Sequence, residues 1–433
     1  MSNGNGKIRV LQVHNRYSSG WGGEDTVVEQ EARLLKERGH TVEQFQVSSA
    51  SLKQASVLRQ IVSVPEILWS CGSYKKIREV ITRFAPDVVH AHNTFPLLSP
   101  SIFWAARRAG VPTVLTLHNF RHTCANAVLL RADRPCEDCV GRFPWPALRY
   151  RCYANSIART AAVVAMNTLH RMLETYTQKI DVLIALNDFN RQIFVRSGLP
   201  NAKLRVKPNF VPTYALANTP RLADVLFVGS LSRHKGVHLL LEAWRRTSPR
   251  SYQLLIVGDG PEREQLMAQF ADVPGVNWCG SLTHSKVLER MATSRILVLP
   301  TLAYENCPMV ILEAFSVATP VIVPNHGSLK TFVRHRQEGL IFRAGDPDAL
   351  TEALREAIHA SEEVWLGWSQ QAKRAHAQDY SEAVNYESLL SIYQRIIQER
   401  AASRTASRPV RGREGRRPSQ TSSETVSASP KDN

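Results

Sequence analysis

Two glutamates eight positions apart, Glu305 and Glu313, bracket the stretch Asn306-Cys307-Pro308-Met309-Val310-Ile311-Leu312. Pro308 suits the first turn of a helix. Glu313 then falls in an apolar run, where a carboxylate is costly unless it is paired or hydrogen-bonded. The plainer alternative makes Glu305 a cap and Glu313 an exposed helix position. Earlier in the chain, Gly229-Ser230-Leu231-Ser232-Arg233-His234-Lys235-Gly236 joins glycines to two cations. Between a strand and a helix, such a turn exposes backbone N–H groups and suits a diphosphate; solvated surface cations are the alternative. Cys124, Cys136, Cys139 and Cys152 follow the spacing Cys-x11-Cys-x2-Cys-x12-Cys. Four thiolates with a two-residue knuckle can close a structural tetrahedral zinc site, with no open position for catalysis. Four reduced thiols are the competing reading, and Cys71, Cys279 and Cys307 read as single thiols. His90 and His92 alternate on one strand, so they share a face; His14 and His118 each stand at the end of a strand. Asp346-Pro347-Asp348 reads as a helix start rather than a metal-binding pair, so no catalytic Mg²⁺ is expected.

The elements that must position these groups alternate strand and helix. Ile8 to Val13 reads as a strand, Gly20 to Gly23 as part of a glycine-rich turn, Asp25 to Arg38 as a helix closed by Gly39, and Thr41 to Val47 as a strand. Further apolar runs at 87–92, 113–117 and 182–185 suit a parallel sheet covered on both faces. Lys207 to Arg221 carries three prolines and little periodicity, which reads as a linker. The pattern then restarts with strands at 225–228, 254–257, 276–279, 296–299 and 321–323. The expected organisation is an N-terminal unit over 1–206 with a Cys-rich insertion near 120–155 and a linker over 207–222. A second unit follows over 223–378, then a terminal helix over 379–400 and a disordered basic tail over 401–433. Ligands of such sheets bind beyond the carboxyl ends of the strands, so two of them suggest a shared cleft.

The chain has 433 residues, 43% hydrophobic and 21% charged, which excludes a wholly disordered or fibrous protein. No apolar run reaches the ~18 residues of a membrane-spanning helix. No secretory leader is read at the N-terminus, so the expected location is the cytoplasm. A net charge of +16 favours anionic partners. Phe143-Pro144-Trp145-Pro146-Ala147-Leu148-Arg149-Tyr150-Arg151 mixes aromatics with arginines. It could lie on the inner face of a membrane and present a lipid-linked acceptor, or simply pack beside the cysteine loop.

The order strand, Gly229 to Gly236, helix, then Val257-Gly258-Asp259-Gly260-Pro261-Glu262, then Leu299-Pro300-Thr301 with Glu305 and Glu313-Ala314, then Thr319-Pro320-Val321-Ile322, resembles the retaining family 4 (group 1) glycosyltransferases of the GT-B fold. In the N-terminal half Gly22-Gly23, Gly39-His40-Thr41-Val42, Pro86 to His92 and Thr116-Leu117-His118-Asn119 are similar too. The resemblance implies two Rossmann-like doubly wound domains facing across a cleft. It also implies a nucleoside diphosphate sugar as donor and transfer to a glycan or lipid-linked acceptor in polysaccharide or glycolipid assembly. Lys235 would hold the diphosphate, with Arg233 compensating for Ser230, where the family often carries arginine. Glu305 would bond the donor sugar, Asn306, Cys307, Pro308 and Met309 would line sugar and phosphate, and Glu313 would grip the ribose. His118 would reach the reacting sugar. Gly22 and Gly23 would admit donor and acceptor, and Asp259 and Gly260 would line the nucleotide. Position 331, commonly acidic in relatives, is a threonine. No N-terminal carboxylate is evident as a nucleophile. A nucleotide-sugar epimerase is the enzymatic alternative. A basic zinc-containing nucleic-acid binder is the alternative of another class, but it leaves the second unit and its glutamates unexplained, so no nucleic-acid partner is expected.

Overall fold

The computed structural model describes residues 6–16, 22–49, 64–214, 221, 224–247 and 251–406. Two six-stranded parallel sheets carry the chain. The first comprises β1 (Arg9–Arg16), β2 (Thr41–Ser48), β3 (Val88–Asn93), β4 (Thr113–Leu117), β7 (Val182–Ala185) and β8 (Leu204–Val206), in the order β2-β1-β3-β4-β7-β8. A two-residue-per-strand antiparallel hairpin, β5 (Leu130–Arg131) and β6 (Arg134–Pro135), stands apart in the Cys-rich insertion. The second sheet comprises β9 (Asp224–Val228), β10 (Gln253–Val257), β11 (Val276–Gly280), β12 (Ile296–Val298), β13 (Val321–Pro324) and β14 (Gly339–Phe342), in the order β11-β10-β9-β12-β13-β14.

Both sheets reverse strand order once, between β1 and β3 and between β9 and β12. Connections leave the two strands of each reversal point in opposite directions, opening a crevice at their carboxyl ends. Apolar runs make the strands: all six residues of β3 are buried, two histidines included. Each sheet is buried on both faces. Leu226, Leu255, Leu297 and Val321 pack on one side of the second sheet, and Val225, Leu254, Ile296 and Ile322 on the other.

The two sheets present their carboxyl edges to each other. Phe189, on the helix after β7, packs edge-on against Tyr304 in the loop after β12, with ring centroids 4.9 Å apart. Asn190 Nδ2 donates to Asn306 Oδ1 at 2.7 Å, and Asn187 Nδ2 to the Asn306 carbonyl.

The end of the chain departs from the sequence expectation. A π turn occupies His376–Tyr380, and the last helix is Glu382–Ala406, past the expected limit at Arg400. Leu389, Ile392, Tyr393 and Ile396 pack on Ile8, Val10, Val88, Val114, Val182 and Ile184, so this helix covers the first sheet, not the second. Its apolar face was readable, but the partner lies hundreds of residues away. The chain thus passes between the halves twice, and the passages bond to each other: Val211 N donates to the Tyr380 carbonyl at 3.1 Å, and Asn385 Nδ2 to the Pro208 carbonyl at 3.2 Å. Of the expected linker, residues 215–220 and 222 lie outside the described residues, as do residue 223 and the tail from 407 onward. Among the described residues, no helix is long and apolar enough to cross a membrane.

The Tyr393 hydroxyl meets His90 Nδ1 at 2.7 Å in the buried interior. Tyr393→Phe strands that nitrogen, so unfolding free energy is expected to fall by about 1–3 kcal/mol. Urea denaturation checks this; an unchanged midpoint contradicts it.

Candidate functional site

The centre of the second half is built from two loops made neighbours by the pairing of β9 with β12. After β9, a 3-10 turn spans Arg233–Lys235 and ends at Gly236 with φ +72°, opening the helix Val237–Thr247. A Cβ at Gly236 would lie 1.9 Å from the Pro300 carbonyl oxygen, so only glycine lets the turn sit this close. The His234 carbonyl accepts from Leu302 N at 2.8 Å and Thr301 Oγ1 at 3.1 Å. Pinned in this way, Lys235 Nζ meets Glu305 Oε1 at 2.8 Å. Burial pushes the Glu305 carboxyl up, but the Lys235 ammonium and the Thr301 hydroxyl outweigh it and hold the group below its ordinary value. The β10 loop is stitched alongside: Leu231 N donates to the Asp259 carbonyl at 2.9 Å, and Asp259 Oδ1 accepts from Gly260 N at 2.7 Å.

Other expected ligands are engaged elsewhere. Arg233 Nε donates to Asp133 Oδ2 at 2.9 Å, on the hairpin of the Cys-rich insertion, so its guanidinium bridges the halves. Asn306 spends its side-chain oxygen on Asn190. Cys307 is buried in the core, and burial pushes its thiol up to about 12, so only its backbone can serve a ligand. Glu313, on the helix Met309–Ser316, accepts from His284 Nε2 at 3.0 Å, and that bond raises the imidazole pKa. Met309 faces Gly23, where a Cβ would lie 3.1 Å from Met309 Cγ: the first helix of the first half closes on the helix Met309–Ser316 at this point. Asp346 caps the helix Pro347–His359 by accepting from Asp348 N at 2.9 Å and Ala349 N at 3.2 Å.

The opposing wall comes from the first sheet. Gly22 precedes the helix Gly23–Glu37, and its N–H donates to Asp25 Oδ2 at 3.1 Å. His118, just after β4, lies 3.0 Å through Nε2 from His92 Nδ1. Burial holds both imidazoles well below their ordinary value, with neighbouring cationic groups adding to it, so both are neutral near pH 7. Beneath them, Lys207 Nζ meets Glu31 Oε1 at 2.7 Å with both side chains almost fully buried. Glu31, His90 and His92 bring ligating atoms within 4.8 Å of one another. They do not suit a metal. Lys207 already supplies the cation, and His90 is bonded through both nitrogens, to Tyr393 at 2.7 Å and Thr116 at 2.8 Å.

Two carboxylates that the sequence reading did not single out stand on this wall. Asp25 Oδ1 bonds His14 Nε2 at 2.7 Å, and Glu24 lies beside Asn119, its Oε1 buried without a partner. The signal was present: both follow Gly22-Gly23 directly. Asp133, Asn187 and Asn190 were also missed, and no local pattern marks them. The four cysteines do converge. They line one small cavity with Asn126, Leu129, Arg131 and Ala147.

Burial, then the Asp25 charge, pushes the Glu24 carboxyl up to about 8 from 4.5. A raised carboxyl pKa means stability present at low pH and lost as pH rises through 8. Wild type is therefore expected to lose melting temperature relative to Glu24→Gln between pH 5 and pH 9. Parallel melting curves across that range would contradict the buried position.

Comparison with known proteins follows this geometry. Residues 21–214 match the family model described as Glycosyltransferase Family 4, and residues 223–360 the model described as Glycosyl transferases group 1. A phosphatidyl-myo-inositol mannosyltransferase of Mycobacterium leprae is 24% identical over 357 residues, covering 77% of this chain and 83% of that protein. A glycosyltransferase structure from Rickettsia africae superposes with a TM-score of 0.66 at 17% identity, over 90% of this chain and 99% of that one. The Anabaena HepE structure with UDP-glucose gives 0.59 at 16% identity, over 92% and 100%. With both halves matched in order, the chain belongs to the family 4, group 1 glycosyltransferases.

Proposed function

We infer that this glycosyltransferase takes a nucleoside diphosphate sugar in the cleft between its halves and passes the sugar to a glycan or lipid-linked acceptor with retained anomeric configuration. One observation carries the reading. Lys235 and Glu305 form a positioned pair at the carboxyl edge of the second sheet, which faces the His118 wall. An ammonium has three donors, so Lys235 can hold Glu305 and still meet a diphosphate. The start of the helix Val237–Thr247 adds partial positive charge. Donors fixed where negative charge develops lower a barrier without reorganising. The Anabaena relative solved with UDP-glucose supports a nucleotide sugar as donor, and the mycobacterial relative, by its name, supports a lipid-linked acceptor.

Retention rests on the character of the opposite wall. His118 is neutral, Asp25 is spent on His14, and Glu24 is protonated below about pH 8. None of these is an ionised, unengaged nucleophile. That favours front-face displacement, in which the departing phosphate accepts the proton of the acceptor hydroxyl.

A lipid-linked acceptor also suits the surface beside the cysteine loop. Phe143, Trp145, Tyr150 and Ile157 are roughly half exposed or more, and Arg142, Arg149 and Arg151 are exposed among them. Aromatics between arginines suit an anionic lipid surface, each arginine contributing about 1 kcal/mol.

Lys235→Ala is expected to lower turnover by about 10²–10³-fold with the melting temperature retained. Wild-type turnover removes the phosphate role. A thermal-shift panel of UDP-, GDP- and ADP-sugars is expected to raise the melting temperature with one nucleotide class. NMR of the product is expected to show the donor's anomeric configuration; inversion refutes the mechanism.

A further inference from the structure

We propose that Cys124, Cys136, Cys139 and Cys152 hold one structural zinc ion, and that this clip fixes the carboxylates the insertion extends to the donor-binding half. The assignment does not depend on which sugar is transferred.

The fold brings together what the sequence separates. Cys124 ends a turn in which its N–H donates to the Phe120 carbonyl at 2.8 Å. Cys136 follows the hairpin, its N–H donating to the Leu129 carbonyl at 2.7 Å. Cys139 lies across a tight turn closed by Val140 N to the Glu137 carbonyl at 2.9 Å, which makes the knuckle. Cys152 follows the short helix Trp145–Arg149, its N–H donating to the Ala147 carbonyl at 3.1 Å. All four line a single cavity of about 20 Å³, and none is in a disulfide. The sulfurs do not yet stand at coordination spacing, since no three of them fall within 4.8 Å of one another. Side-chain rotation toward the cavity must bring them to the ~2.3 Å bonds of a zinc tetrathiolate.

Donors face the sulfurs, although burial raises the thiols of Cys124, Cys139 and Cys152. Backbone N–H groups of Leu129, Asn126 and Ala127 point at the Cys124 sulfur, and that of Ala147 at Cys139. Arg131 lines the cavity, and Arg121 lies near Cys124. As a thiol, Cys124 donates to Asn126 Oδ1 at 2.8 Å; that proton must leave when the metal binds. The balance is four thiols and one Zn²⁺ giving a tetrathiolate of net charge −2 and four released protons. Amide donors and arginines offset that charge.

The insertion needs such a clip. From Phe120 to Ser156 its regular elements are a hairpin with two residues per strand and one five-residue helix. Yet it sends Asp133 to Arg233 at 2.9 Å, and Glu137 both to Arg196 at 2.7 Å and to Tyr304. Arg233 and Tyr304 flank Lys235 and Glu305. Ordering so irregular a segment costs about 1–2 kcal/mol per residue, which a metal offsets far better than this small core.

The test uses the full chain purified without chelator. Elemental analysis is expected to give one zinc per chain. Titration with a mercurial in the presence of a zinc indicator is expected to release that zinc as four thiols react. The double variant Cys136→Ser/Cys139→Ser is expected to lose the metal and to raise amide hydrogen exchange across 120–155, while Cys71→Ser keeps the metal. Zinc-free protein whose four thiols all react freely overturns the proposal. Masses showing disulfide pairing, or iron with sulfide in place of zinc, overturn it as well. Metal retained in the double variant overturns the assignment to these cysteines.

Discussion

The contact between Gly236 and the Pro300 carbonyl is the constraint on which the active cleft rests. Lys235 and Glu305 lie far apart in sequence and reach bonding distance because two loops interlock through backbone atoms. A side chain at Gly236 would drive those loops apart. The sheet supplies the coarse alignment by pairing Leu226 of β9 with Leu297 of β12. The His234 carbonyl, shared by Leu302 and Thr301, supplies the fine one. The ion pair is therefore a consequence of backbone fit rather than its cause. That is the stable arrangement for a partly buried pair, whose mutual attraction alone rarely repays its desolvation.

The first half solves a harder problem. Its interior gathers His90, His92, Glu31 and Lys207, groups that a core normally excludes, with His118 half-buried beside them. Pairing Lys207 with Glu31 leaves a nearly neutral unit, and burial keeps the histidines uncharged. The last helix completes the enclosure by placing Tyr393 on His90. Covering the first sheet with the end of the chain thus seals polar groups that would otherwise let water in behind the cleft.

Much of this was legible in the sequence because it depends on local pattern. Apolar runs marked ten of the twelve sheet strands, and the glycines with Lys235 and Glu305 marked the second wall. The two unread strands have physical reasons. Leu204-Arg205-Val206 is three residues long with a charge in the middle, and Gly339–Phe342 starts at a glycine, so neither shows a run. The contacts between halves were not legible. Asp133 with Arg233 and Asn187 with Asn306 join residues about a hundred positions apart, and each looks like an ordinary surface polar residue in its own segment. Glu24 directly follows Gly22-Gly23, but its burial beside Asn119 depends on a distant segment and leaves no mark in the local pattern.

The two walls differ in the groups they hold toward the cleft. On the second half Lys235, paired with Glu305, and a helix start offer donors at fixed positions. On the first half Glu31 is paired with Lys207, Asp25 is bonded to His14, burial lowers the pKa of His14, His92 and His118, and Glu24 is protonated below about pH 8. A reaction that moves negative charge onto a leaving diphosphate gains from donors fixed in advance on one wall. Under the proposed retaining transfer, the hydrogen bonds and burial on that wall serve the chemistry by leaving no unengaged nucleophile there, although none of them touches the phosphate.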